Sequence, residues 1–332
     1  MAAPPVTAPS AGPALRILSD GRAGHEAQTL GVAEALGAII DLRRLDPGAL
    51  FGLLAPFGPA DPRDLAAVAP PWQEIAFAAG RRTIPALRRL KRLSGGRIFT
   101  VYFNRPATGR ATADLIVAPR HDGFTGENVI SPLTPANRLT PQLLAATRAA
   151  PDPRIAALPA PRVALLIGGD SRHFHFSDLD SRNLTTAVRQ IVAGGASVMA
   201  TVSRRTPAPL AAALKAAIAK GPGFLWDGAG PNPYVAMLAC ADAILVTADS
   251  VNMASEAAAT GAPVHVFWPG GGHPRLAAFH ATLAETGASR TWRGELERWS
   301  YPPVNATPAI AAEILRAFSS FRAGSCGGAH NR

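Results

Sequence analysis

Val246-Thr247-Ala248-Asp249-Ser250-Val251-Asn252-Met253-Ala254-Ser255-Glu256 follows the apolar run Ala243-Ile244-Leu245 and leads into a small-residue stretch that ends near Gly261. The order is buried strand, polar turn, helix start. Far earlier in the chain, Ser19-Asp20-Gly21-Arg22-Ala23-Gly24-His25-Glu26-Ala27-Gln28 follows Leu15 to Leu18 and enters a helix-like stretch reaching Leu36. Junctions of this kind point free backbone N–H groups and the positive end of a helix dipole at an anion. One in each half predicts two α/β domains facing a shared cleft, the arrangement a nucleotide-sugar enzyme needs.

The 332 residues are 48% hydrophobic, enough for two cores. No apolar run approaches the ~18 residues of a membrane-spanning helix. Residues 1–13 are rich in Ala and Pro, without a basic start or an apolar core, and read as a disordered leader rather than a secretory signal. Gly324-Ser325-Cys326-Gly327-Gly328 reads as a loose tail over 321–332. Cys240 and Cys326 are too few for a disulfide framework, so a reducing cytoplasm is expected. No spacing resembles a zinc site, and no GxGxxG or Walker lysine calls for a nicotinamide or P-loop nucleotide; neither metal nor cofactor is expected.

The net charge of +10 comes almost entirely from arginine and favours anionic partners. Arg81-Arg82 with Arg88-Arg89-Leu90-Lys91-Arg92 forms the densest run. It reads first as a solvated helix face, and second as a peripheral contact with the inner face of a membrane, with Leu87, Leu90 and Leu93 as its apolar side. Few aromatics and no recognition motif argue against nucleic acid.

Strands and helices alternate from residue 14, apart from a Pro- and Gly-rich stretch at 47–72. This predicts a parallel sheet covered on both faces. The first domain is expected over 14–150, a Pro-rich linker over 151–161, and a second α/β domain over 162–320, closed by a helix from Pro308 to Phe318.

Four junctions carry candidate chemistry. Gly168-Gly169-Asp170-Ser171-Arg172-His173 follows a buried strand; it is either a phosphate loop, with Ser171 and Arg172 as donors, or a tight turn with a solvated arginine. Ser203-Arg204-Arg205-Thr206 suits phosphate, and Thr206 before Pro207 also suits a helix cap. Ser250 is placed as an N-cap, Asn252 in the first turn, and Glu256 about two turns in, where it either accepts from ribose hydroxyls or is a solvated helix residue. His25 has the best catalytic chemistry available, with a structural cap as its competing role. Asp20 and Glu26 flank it, and His173, His175, His273 and His280 are further candidates.

Ser19 to His25, Ile167 to Ser171, Ser203 to Thr206 and above all Thr247 to Glu256 resemble the mitochondrial-fission "elongated mitochondria" family, whose bacterial relatives are described as nucleoside-diphosphate-sugar glycosyltransferases. More distantly, Gly24-His25 and Ser255 to Gly261 look like the N-terminal loop and ribose-binding helix of the MurG-type N-acetylglucosaminyltransferase, with His273-Pro274-Arg275 in the place of its sugar-contacting segment but with different residue types. The resemblance implies a GT-B architecture of two Rossmann-like domains. It implies a metal-independent transfer from a nucleoside diphosphate sugar to an acceptor, lipid-linked among the options. Gly24, Gly168, Gly169, Ser171, Arg172, Ser203, Arg204, Ser250, Asn252, Glu256, His273 and Arg275 would bind substrate, and His25 or Asp20 would activate the acceptor. A non-catalytic scaffold and a nucleotide-sugar epimerase on the same fold are the alternatives.

Overall fold

The computed structural model describes residues 12–327. The described chain divides by contacts into two compact units, one running to Arg138 and resuming at Ala306, the other spanning Leu139–Asn305.

The first unit opens with β1 (Ala14–Ser19), α1 (Ala23–Ala35), β2 (Ile39–Arg44) and α2 (Ala49–Leu54). It continues with β3 (Ile75–Ala79), α3 (Ile84–Leu93), β4 (Phe99–Phe103), β5 (Leu115–Val117) and β6 (Val129–Ile130). All strands pair in parallel in the order β2-β1-β3-β4-β5-β6. The central strands are unbroken apolar runs because both sheet faces are covered. The stretch at 47–72 holds α2 and a 3₁₀ segment, Pro62–Val68. Its anchor is not apolar. Arg16, buried on β1, binds Asp41 and donates to the carbonyls of Ala67, Ala69 and Pro71. That fixes a segment with no periodicity for sequence reading to find.

The second unit contains α4 (Pro141–Ala149), α5 (Pro153–Ala156), β7 (Arg162–Ile167), α6 (Asp178–Ala193), β8 (Ser197–Val202), α7 (Ala208–Ile218) and β9 (Gly223–Trp226). It ends with α8 (Tyr234–Cys240), β10 (Ala243–Thr247), α9 (Val251–Ala258), β11 (Val264–Phe267), α10 (Pro274–Glu285) and β12 (Ser289–Thr291). Its parallel sheet has the order β12-β11-β10-β7-β8-β9.

Two boundaries differ from expectation. Pro153, expected within the linker, stands in a helix first turn, as Pro141 does before it, and the division falls at Arg138/Leu139. Ile155, inside the expected linker, is fully buried. The last helix, α11 (Thr307–Gly327), returns to the first unit instead of closing the second. Its Ile310, Ile314 and Phe318 complete the first core, and Thr307 exchanges two 2.9 Å hydrogen bonds with the Asn137 backbone. The expected loose tail begins instead as helix: Phe321 packs on Phe99 with ring centroids 5.3 Å apart. The expected leader lies almost wholly outside the described residues, as do residues 328–332 of the expected tail.

Candidate functional site

In a doubly wound sheet, ligands gather at the carboxyl ends of the strands where the strand order reverses. The first sheet reverses between β1 and β3, the second between β7 and β10. The two quoted junctions stand at these points.

At the first, the turn after β1 brings Asp20 and His25 together. His25 Nδ1 lies 3.0 Å from Asp20 Oδ1 and 3.1 Å from Oδ2. The carboxylate can only accept, so Nδ1 carries a proton, and in the neutral ring Nε2 is then the nitrogen with the lone pair. Asp20 is almost fully buried, at 5% side-chain exposure. Burial pushes its pKa up, but the His25 hydrogen bond and charge outweigh that and hold it below the usual value. Gly80, after β3, makes the pair possible. It sits at φ +90°, and a Cβ there would stand 2.3 Å from Asp20 Oδ2 and 2.8 Å from His25 Nδ1. Below lies Tyr102, its pKa raised by burial and by the Asp20 charge.

The helix-cap role for His25 does not hold: α1 starts after Arg22 without any side-chain cap, and His25 and Gly24 lie inside it. Glu26 is removed as a base. Arg44 binds both its oxygens at 2.8 and 3.1 Å, Ser19 donates to it at 2.6 Å, and its pKa is lowered chiefly by Arg44.

At the second point the turns after β7, β8 and β10 are tied together around Asp249, whose side chain has no exposure. Asp249 accepts from the Gly169 N–H at 2.9 Å and from Thr247 at 2.7 Å, and faces Arg205 at 3.4 Å. Thr247 in turn accepts from the Gly168 N–H at 2.8 Å. Thr206 donates to the Gly168 carbonyl, and Arg205 to those of Gly169 and Asp170. The backbone donors expected to cradle a diphosphate are therefore taken by protein acceptors, Gly168 by the Thr247 hydroxyl and Gly169 by the buried Asp249 carboxylate, which corrects that expectation. Ser203 is likewise engaged, accepting from Arg205 N and pairing with Thr206, which is a turn role; the expected Thr206 helix cap does not hold, because α7 starts after Pro207 without any side-chain cap and the Thr206 hydroxyl is spent on the turn. Arg204, beside it, is exposed. Burial raises the Asp249 pKa against its three hydrogen-bonding partners. The roles of Asp249 and Arg205 are not legible locally, because an Asp-Ser helix start looks alike whether its acid is free or buried.

The outer part of the same edge is more open. Ser250 caps α9, accepting from Met253 N at 3.4 Å, and Asn252 follows in the first turn. Glu256 accepts from the Tyr234 hydroxyl at 2.6 Å, and burial pushes its pKa to about 7. It is not a solvated helix residue. Tyr234 had no local signal, lying on a different helix. The turns after β7 and β11 pair through an antiparallel bridge between Phe174 and Gly271, with the Gly272 N–H on the His173 carbonyl at 2.7 Å. This brings His173 and His273 to a ring separation of 4.2 Å, with Arg172 and Arg275 alongside. Arg172 Nε donates to His173 Nε2 at 2.8 Å, and His273 Nδ1 caps α10 by accepting from Arg275 N at 3.2 Å. Partial loss of water and the neighbouring His273, Arg172 and Arg275 lower the His173 pKa. Ser171 accepts from the N–H groups of His173 and Phe174, which shapes the turn and leaves its hydroxyl hydrogen to give. His175 pairs with Asp170 at 3.3 Å, whereas His280 is buried on the Ala248 carbonyl and is structural.

Among the described residues no group of three or more His, Cys, Asp or Glu could hold a metal ion. A cavity of about 790 Å³ lies at the opposite, amino edge of the second sheet, lined by Pro161, Asp242, Pro263, Trp292 and Trp299; none of the expected donor-binding residues reaches it.

A family model described as "Mitochondrial fission ELM1" matches residues 23–318. "Mitochondrial fission protein ELM1" of Arabidopsis thaliana is 31% identical over 269 residues, covering 73% of this chain and 63% of that protein. The chain thus spans less than two thirds of that relative's length. Among solved structures, a UDP-GlcNAc 2-epimerase from Methanocaldococcus jannaschii aligns with a TM-score of 0.55 at 12% identity, over 92% of this chain and 99% of that one. The spinosyn forosaminyltransferase SpnP aligns with a TM-score of 0.51 at 12% identity, over 94% and 93%. Such likeness shows the fold alone: two Rossmann-like α/β domains of the GT-B type.

Proposed function

The chain belongs to the mitochondrial fission ELM1 family, and from that premise we propose that it is a glycosyltransferase moving a sugar from a nucleoside diphosphate to an acceptor hydroxyl. The observation that carries the proposal is the Asp20–His25 pair at 3.0 Å, a histidine oriented by a buried carboxylate at a switch point with Nε2 uncommitted. Nε2 takes the acceptor proton, the acceptor oxygen bonds to the anomeric carbon, and the bond from that carbon to the diphosphate breaks. Asp20 holds the imidazole tautomer and stabilises the imidazolium that forms. On the donor side, Arg172 and Arg275 supply positive charge for the leaving diphosphate, with Arg204, the Ser171 hydroxyl and the neutral His273 ring as further donors. Glu256 and Tyr234 form the polar pair for ribose hydroxyls. Gly168, Gly169 and Ser203 shape these turns.

One observation favours a second reading. The closure of the Gly168 and Gly169 N–H groups onto Thr247 and Asp249 is what a non-catalytic GT-B scaffold would tolerate. Incubation with radiolabelled nucleoside diphosphate sugars and a panel of acceptors, followed by product separation, decides between them. Label in a new glycoside supports transfer, and label in an isomerised donor supports epimerisation. Unchanged donor in every pairing, with nucleotide bound or not, supports the scaffold.

A further inference from the structure

The basic face of the first unit is built differently from its sequence. Leu87 and Leu90 of α3 are fully buried and of the three expected leucines only Leu93, at 45%, is exposed, so that helix has no outward apolar side of its own. The exposed apolar surface belongs instead to α2 and the turn after it. Leu50, Leu53 and Leu54, spaced i, i+3, i+4 on one face of a helix, are 64%, 75% and 45% exposed, and Phe57 is 73% exposed. Single exposed leucines are ordinary, but four large side chains within eight positions are not.

Arginines surround this patch. Arg81 and Arg88 reach across to the Ala55 and Pro56 carbonyls, at 2.5 and 3.0 Å, and hold the turn in place. Arg82 lies against Gly52 of α2, and Arg88, Arg89 and Arg92 line a 240 Å³ recess with Phe57. The ion pairs of this unit use other basic side chains; among the described residues none of these five arginines meets a carboxylate within 4.0 Å. The acids of the segment are turned to local work: Asp61 binds Gly48 N and Arg63, and Asp64 binds Asp46 N. Between residues 46 and 92, seven arginines and lysines stand against four carboxylates. Uncompensated guanidinium groups around an apolar knob match a surface that offers phosphate at one depth and hydrocarbon just below it.

We propose that α2 and the turn to Phe57 insert into an anionic phospholipid surface, with Arg82, Arg88, Arg89 and Arg92 on the headgroup phosphates. Among the described residues no helix is long and apolar enough to cross a membrane, so the contact is an in-plane one. The proposal is independent of the glycosyltransferase reading.

The test is flotation of the full chain with phosphatidylcholine vesicles, with and without phosphatidylglycerol. Binding is expected only with the anionic lipid and is expected to weaken with added salt. Arg88→Glu with Arg92→Glu should weaken it about tenfold or more, and Leu53→Asp with Phe57→Asp on the order of tenfold to a hundredfold. Both pairs are exposed or half-buried, and circular dichroism should show the fold retained. No binding to either vesicle would overturn the proposal, as would binding that ignores phosphatidylglycerol. Self-association in sedimentation that Leu53→Asp abolishes, with vesicle binding unchanged, would also overturn it and assign the face to a second copy of the chain.

Discussion

The two switch points use the same parts and reach opposite states. In each, an aspartate from one turn sits over a glycine from the neighbouring turn, Asp20 over Gly80 and Asp249 over Gly168. In each, a Cβ on that glycine would lie within 2.3 Å of the carboxylate. At the first, the acid spends its hydrogen bonds on His25, and the net result is a lowered pKa. At the second, the acid is closed in by Gly169, Thr247 and Arg205, and burial raises its pKa. Geometry alone therefore does not assign chemistry. The partner of the carboxylate does: an imidazole leaves a second nitrogen for a substrate, whereas backbone N–H groups and a threonine leave nothing.

The largest effect expected from this contrast is on turnover. His25→Ala should lower transfer by a factor of roughly 10²–10⁴ while leaving donor affinity nearly unchanged, measured as kcat and donor Kd. Equal loss of donor affinity would break the division of labour between the units. Asp249→Ala should act on stability instead. It leaves the Gly169 N–H and Thr247 without their acceptor and Arg205 with its carbonyl partners alone, costing about 3 kcal/mol in denaturant unfolding. A near-wild-type midpoint would show that this cluster is not structural.

Gly80→Ala comes next, at about 2–3 kcal/mol, since it combines an unfavourable φ with a clash. Because the clash falls on Asp20 and His25, turnover should drop with it; stability loss with full turnover would separate the pair from the chemistry.

The smallest expected effect is a pH dependence of opposite sign at the two points. Glu256, with a folded pKa of about 7, keeps a proton that the unfolded chain has already lost. Its contribution is therefore full below the ordinary carboxylate range and is lost as pH rises through 7. Glu256→Gln should remove about 1–3 kcal/mol of that decline between pH 5 and 8. Asp20, with a lowered folded pKa, contributes at neutral pH and loses its contribution as pH falls through that lowered value. Unfolding curves of Glu256→Gln and Asp20→Asn across pH, each set against wild type, would expose a shared sign if the contrast is wrong.

Much of the fold was legible because buried parallel strands are written as local apolar runs, as in the central residues of β7, β8 and β10. What could not be read depends on distant partners. Arg16 organises residues 62–72 by long-range bonds to carbonyls, α11 returns to a core begun three hundred positions earlier, and prolines that open helices look like prolines that break chains. The site divides in the same way. Asp20 with His25, and His273 with Arg275, were found because each pair is close in sequence. Their partners Gly80, Tyr234 and Arg205 come from other turns and helices, and only the folded chain shows that Asp249 closes the loop expected to hold phosphate.

The most direct test of the account is calorimetric titration of uridine diphosphate and its sugars into the wild-type chain and into the Arg172→Ala, Arg275→Ala double variant. Saturable binding to wild type is expected, weakened on the order of tenfold or more in the variant, because the outer arginines and not the closed glycine turn would hold the diphosphate. Binding of equal strength to both proteins would contradict that assignment, and no heat from wild type with any nucleoside diphosphate at millimolar concentration would contradict the donor site itself.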